Sequence, residues 1–129
     1  MSEIQIGDIQ PRILVADDEP INVKVLQKLL KHCGLSCEVA RDGLECIEKA
    51  ETGHYDVILM DINMPNMDGV AATKQISQML APEGPKVIAV TANVSNAQRA
   101  ECDGAGFSGF IPKPVRLDTL KEVLASNLN

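Results

Sequence analysis

Five residues of this 129-residue chain could do chemistry together, and each stands at or just past the end of a short apolar run. Asp17 and Asp18 follow ILVA, Asp61 closes VILMD, Thr91 closes VIAVT, and Lys113 follows GFIP. Singly, each has an ordinary explanation. An acidic residue after a strand often caps the next helix. A threonine there is a common β-branched strand residue. Lys113, between Pro112 and Pro114, reads as a solvated loop residue. Their conjunction carries more weight. Carboxylates at close range repel, and their pKa values rise unless a cation intervenes. Lys113 offsets one of the three negative charges and leaves an excess of two, which a divalent ion neutralises. Donors that are all oxygen, with room for water, suit Mg²⁺ rather than zinc. A carboxylate, a divalent ion, a hydroxyl and an ammonium meet the needs of phosphoryl transfer. The carboxylate attacks phosphorus, the cations neutralise the phosphoryl oxygens, and the hydroxyl donates to one of them.

For these residues to meet, the runs before them must lie side by side in one sheet. The chain alternates such runs with amphipathic stretches. Strands are expected over Arg12–Asp17, Ser36–Ala40, Val57–Asp61, Val87–Thr91 and Phe107–Ile111. A first helix opens at Pro20, turns Val23, Leu26, Leu29 and Leu30 inward, and stops at Gly34. A second, with Asp42 and Glu45 at capping-box spacing, carries Leu44, Ile47 and Ala50 and ends near Gly53. A third runs through Val70, Thr73, Ile76 and Met79. A fourth, Ser95 to about Asp103, has a poor apolar face and should be the least firmly packed. A fifth, after Pro114, uses Leu117, Leu120, Val123 and Leu124. Five βα units with strands apolar on both faces specify an α/β fold, a doubly wound parallel sheet of the flavodoxin-like (βα)5 type with order 2-1-3-4-5. In such sheets ligands bind at the carboxyl ends of the strands. The length is that of one domain, expected over residues 11–129, with 1–10 as an N-terminal tail or linker.

Composition narrows the function. Eighteen acidic residues against twelve basic give a net charge of −6, which argues against nucleic-acid and anionic-membrane surfaces. Tyr55, Phe107 and Phe110 are the whole aromatic complement, which argues against base-stacking platforms. No Cys-x-x-Cys pair, signal peptide or membrane-length apolar run is present, so a reducing cytoplasm is expected. His32, Cys33 and Cys37 lie close in sequence, but their spacing fits no zinc-ligand pattern. Small core residues beside a helix-terminal histidine explain them more simply.

The segments ILVADDEPIN, VILMDINMPNMDG, VIAVTAN and GFIPKP, in this order, make the chain resemble a response-regulator receiver domain of two-component signalling over about Arg12 to Leu128. The resemblance implies that Asp61 is the phosphoacceptor. It implies that Asp18 and Asp61 bind Mg²⁺ through their side chains, Asn63 through its backbone carbonyl, and Asp17 mainly through metal-bound water. Thr91 would hydrogen-bond the phosphoryl group and Lys113 would pair with it. Small Ala92 would leave the acceptor accessible, and Asn63 and Asn93 occupy positions that tune phosphoryl lifetime in the family. Phe110 falls at the family's switch aromatic, and an ordinary core aromatic fits it equally well. Met64-Pro65 and Asp68-Gly69 would shape the acceptor loop.

The implied partners are a histidine kinase or a histidine phosphotransfer domain, with the receiver a monomer or weak dimer. MPNMDG and KPVRLDTL are similar to receivers of hybrid histidine kinases, which would make this the cytoplasmic part of a larger sensor. A free-standing regulator is the other expectation, and the short stretch after Lys113 leaves no room for an output domain. Three alternatives stand beside this reading. A phosphorylation-independent docking domain would usually lack the acceptor or the lysine. An aspartate-nucleophile phosphatase of the haloacid dehalogenase type would place its nucleophile first and a second Asp where Asn63 stands. A flavodoxin would need a phosphate-binding loop in place of DDEPIN.

Overall fold

The computed structural model describes residues 10–64, 66–80, 84–92 and 95–128. Residues 1–9 of the expected tail, Pro65 of the expected turn and Asn93 lie outside the described residues. The elements are β1 (Ile13–Ala16), α1 (Pro20–His32), β2 (Glu38–Ala40), α2 (Gly43–Gly53), β3 (Val57–Asp61), α3 (Gly69–Leu80), β4 (Lys86–Thr91), α4 (Asn96–Ala105), β5 (Gly109–Pro112) and α5 (Leu117–Leu128). The strands form one parallel sheet in the order β2-β1-β3-β4-β5, as the alternation of elements requires.

Strand periodicity divides the core between the two faces of the sheet. Ile13, Val15, Val57, Leu59, Ile88, Val90 and Ile111 face Leu26 and Leu30 of α1 and Leu120 and Leu124 of α5. The alternate residues Leu14, Ala16, Ile58, Met60 and Val87 face Cys46 and Ala50 of α2 and Ala72 and Ile76 of α3. A smaller cluster of Ile62, Val70, Ala89, Cys102 and Ala105 holds α4. Only Cys102 and Ala105 of α4 are buried, both small, so this helix brings little apolar area to the sheet.

Helix ends follow local chemistry. Pro20 opens α1, where its missing N–H costs nothing. Gly34, at φ +77°, ends it in a Schellman arrangement: Leu35 N–H donates to Leu30 C=O and Gly34 N–H to Lys31 C=O, both at 2.9 Å. Leu30 and Leu35 both enter the core beneath that turn. Asp42 caps α2 by accepting the Glu45 amide at 2.8 Å, while Glu45 reaches back to the Arg41 amide at 2.6 Å.

Three sequence expectations are corrected. On α2 the buried face is Gly43, Cys46 and Ala50, and Leu44 is 52% exposed. The helix starts so close to the β3–α3 connection that an added Cβ on Gly43 would collide with the Met67 carbonyl oxygen, so only glycine fits there. On α3 the apolar stripe passes from Ile76 to Leu80, which packs against the core, and Met79 is left 42% exposed. β5 starts at Gly109 rather than Phe107, because the Phe107 amide still bonds the Cys102 carbonyl around the end of α4 at Gly106, φ +105°.

Candidate functional site

The parallel register aligns the carboxyl ends of β1, β3, β4 and β5. Ala16 lies beside Met60, Asp61 beside Val90, and Thr91 beside Pro112. Asp17 follows β1 directly, and its amide extends the pairing to the Ala40 carbonyl at 3.0 Å. Its side chain is fixed by its own loop, with Oδ1 accepting the Glu19 amide at 2.9 Å. Lys113 is drawn toward the same edge because its amide donates to the Thr91 carbonyl at 2.9 Å.

The side chains converge as the strand ends require. One carboxylate oxygen from each of Asp17, Asp18 and Asp61 lies within 4.8 Å of the other two. Lys113 Nζ donates to Asp61 Oδ1 at 3.1 Å and stands 3.7 Å from Asp17 Oδ2. Asp17 and Asp61 are buried, whereas Asp18 is exposed and forms the rim. Burial, and then the charge of Asp17, push the Asp61 carboxyl above the ordinary range. The Lys113 ammonium and the Asn63 amide, which donates to this carboxylate, work in the opposite direction. Thr91 is buried at the end of β4.

The donor set fits a hard divalent cation. Asp17 Oδ2 is buried and accepts no hydrogen bond, although a buried carboxylate oxygen ordinarily has a partner. Three carboxylates against one ammonium leave two negative charges in one place, and every donor is oxygen. Among the described residues this is the one grouping of His, Cys, Asp or Glu close enough to hold an ion. Cys33 and Cys37 instead pack against the α1–α5 side of the core, and His32 ends α1 exposed.

Asn63 is exposed two residues past Asp61, in the stretch that leads to α3. Gly69 closes that stretch, donating to the Ile62 carbonyl at 2.8 Å. A Cβ there would strike the Asp61 carbonyl oxygen and lie 2.9 Å from Ile62 Cα, so only glycine lets α3 start so near the site. Phe110 is half-buried on β5, with the Arg99 guanidinium 4.8 Å from its ring centre. The sequence reading missed Arg99. It also saw Asp42 only as a helix cap. Its second carboxylate oxygen accepts Asn66 Nδ2 at 2.7 Å, tying α2 to the β3–α3 stretch. No spacing rule marks a pair 24 residues apart.

Among the described residues, no helix is long and apolar enough to cross a membrane. The family model of the response regulator receiver domain matches residues 13–125. The sensor histidine kinase RcsC of Escherichia coli K12 is 41% identical over 112 residues, which are 87% of this chain and 12% of that protein. The chain thus spans about an eighth of the length of such relatives. Among solved structures, the receiver domain of the sensor histidine kinase PA1611 from Pseudomonas aeruginosa PAO1 is similar at TM-score 0.85 and 31% identity, covering 93% of this chain and 98% of that one. It was crystallised with a magnesium ion coordinated in its active-site cleft. The receiver domain of Saccharomyces cerevisiae Ssk1, solved with the histidine phosphotransfer protein Ypd1, shares the fold at TM-score 0.83 and 23% identity, covering 93% of this chain and 91% of that one.

Proposed function

The chain belongs to the response regulator receiver domain family, and from that premise we propose that it accepts a phosphoryl group from a phosphohistidine onto Asp61. The observation that carries this reading is the buried Asp61 carboxylate, paired with Lys113 and crowded by Asp17 and Asp18. An Asp61 oxygen attacks phosphorus, the O–P bond forms as the N–P bond to histidine breaks, and the imidazole leaves. Lys113 is already within hydrogen-bond reach of Asp61 and neutralises charge on the incoming oxygens. The Thr91 hydroxyl donates to one of them. Asp17, Asp18, Asp61 and the Asn63 carbonyl would hold Mg²⁺. When bound, that ion adds the positive charge that lets an anionic donor approach an anionic acceptor.

The transfer is self-catalysed, and slow hydrolysis of the acyl phosphate returns Asp61. The acyl phosphate brings added charge and new acceptor oxygens to the ends of β3 and β4. Thr91 and Phe110 respond, and the face around α4, β5 and α5 changes its partner preference. The small buried face of α4 supports this assignment, because little packing energy resists a second arrangement. The donor is a histidine kinase or a histidine phosphotransfer domain. The likeness to a short piece of a sensor histidine kinase favours a receiver within a hybrid kinase, with the domain over residues 11–129 on its cytoplasmic side.

Incubation with Mg²⁺ and a small acyl phosphate tests the assignment. Intact mass should rise by one phosphoryl group, and Asp61→Asn should abolish the rise. A phosphoryl adduct that persists unchanged in Asp61→Asn overturns it.

A further inference from the structure

The stretch between β3 and α3 leaves the sheet at Asp61 and re-enters regular structure at Gly69, with Asn63 near its start. Its base is closed by the bond from the Gly69 amide to the Ile62 carbonyl, 2.8 Å. Its far side rests on the start of α2. There the Met67 carbonyl lies where a Cβ on Gly43 would be, and Asn66 Nδ2 donates to Asp42 Oδ2 at 2.7 Å. Asn66 adopts φ +69°, a left-handed conformation that asparagine tolerates better than most residues. The other oxygen of Asp42 accepts the Glu45 amide at 2.8 Å. One carboxylate therefore starts a helix and holds the connection. Asp42 is drawn below the ordinary carboxylate range by the Glu45 amide first and the Asn66 amide second.

We propose that Asp42 is a positioning residue for the phosphoacceptor site: through Asn66 it holds the β3–α3 stretch so that Asn63 stays in place beside Asp61. This rests on the reading of Asp61 and Asn63 given above. Asp42 touches none of the reacting atoms and acts through another residue.

Asp42→Ser separates the two duties of the carboxylate. Serine caps a helix about as well as aspartate, so the Glu45 amide keeps its acceptor. The shorter side chain carries a single oxygen, already engaged by that amide, and Asn66 Nδ2 loses its carboxylate partner. The double variant Asp42→Asn/Asn66→Asp reverses the polarity of the bond, restores it, and preserves the net charge.

Two measurements follow on the full chain. Without metal, exchange of the Gly69 amide, which is bonded to the Ile62 carbonyl, should quicken about tenfold in Asp42→Ser, from loss of one charge-assisted hydrogen bond. The urea transition should keep its slope, with the midpoint lowered by no more than that tenfold change implies. In Mg²⁺ titrations followed by thermal shift, the dissociation constant should rise about tenfold, the low end of what supporting contacts around a metal site contribute. The double variant should recover both values. Wild-type exchange and affinity in Asp42→Ser overturn the proposal, as does a double variant no better than the single one. If the wild-type protein neither binds Mg²⁺ nor accepts a phosphoryl group, the reading of the site itself fails and takes this inference with it. If wild type does both while Asp42→Ser behaves identically, only this inference fails.

Discussion

Replacing Asp61 by asparagine should stabilise the metal-free protein. The side chain is 7% exposed, and burial followed by the Asp17 charge raises its carboxyl pKa. Its ionised form is therefore worse off in the fold than in the unfolded chain. At an effective dielectric of about 20, the Asp17 charge within 4.8 Å repels Asp61 by about 3.5 kcal/mol. Lys113 at 3.1 Å attracts it by about 5 kcal/mol on the same scale. Exposed Asp18 adds a smaller, screened repulsion, so the Coulomb terms nearly offset. Desolvation, worth several kcal/mol for a buried ion, then decides the sign. Asparagine keeps the shape, sheds that cost, and leaves Lys113 to Asp17. The expected gain at pH 7 is about 2 kcal/mol, a Tm higher by about 8 °C for a domain of this size. The pH dependence follows from the raised pKa. Wild type holds its relative stability below the ordinary carboxylate pKa and loses it as pH rises through the folded value. The variant's advantage should accordingly be small near pH 4 and grow as pH rises through the folded value. Urea melts of both proteins in a chelator, at a series of pH values, measure it. An Asp61→Asn protein no more stable than wild type at pH 7 refutes the reasoning, and so does an advantage that does not depend on pH.

Three further outcomes are expected. Lys113→Met removes the cation between two buried carboxylates. It should cost about 2 kcal/mol, less than a fully buried pair would because Lys113 is itself 23% exposed. Adding Asp61→Asn should recover most of that loss, read as coupling in a double-mutant cycle. Gly69→Ala forces a Cβ against the Asp61 carbonyl oxygen and should cost about 1–3 kcal/mol in urea melts; it should also slow phosphoryl uptake, because the backbone of Asp61 itself must move. Tyr55 should ionise near pH 12, because it is buried and its hydroxyl donates to Glu38 at 2.8 Å. A raised pKa means its contribution is whole below the ordinary tyrosine value, about 10, and is lost as pH climbs to the folded value. With one tyrosine and no tryptophan in the chain, tyrosinate absorbance reports this residue alone. A native midpoint near 10 would contradict the burial argument.

The fold was legible because each strand had to be apolar on both faces. ILVA, VILM and VIAV leave few other places to go, and the residues that break those runs come out together at one edge. Convergence of Asp17, Asp61 and Lys113 needed only the strand ends and a parallel sheet. The helix faces were harder. Residue type pointed to Leu44, but α2 turns Gly43, Cys46 and Ala50 inward, and its tight approach to Met67 requires glycine at 43. The Asp42–Asn66 bond and the Arg99–Phe110 stack were not legible, because each joins residues that only the folded chain brings together. The same holds at the opposite edge of the sheet. There Arg12 stacks on Tyr55 at 4.9 Å and pairs with Glu38 at 3.0 Å, bracing the starts of β1 and β2.

The central claim is that the phosphoryl group resides on Asp61, and chemical trapping maps it directly. Borohydride reduces an aspartyl phosphate to homoserine, so protein treated with Mg²⁺ and an acyl phosphate, then reduced and digested, should yield a peptide with homoserine at position 61. Homoserine at another aspartate, or phosphate that borohydride leaves untouched on a serine, threonine or histidine, would contradict the account.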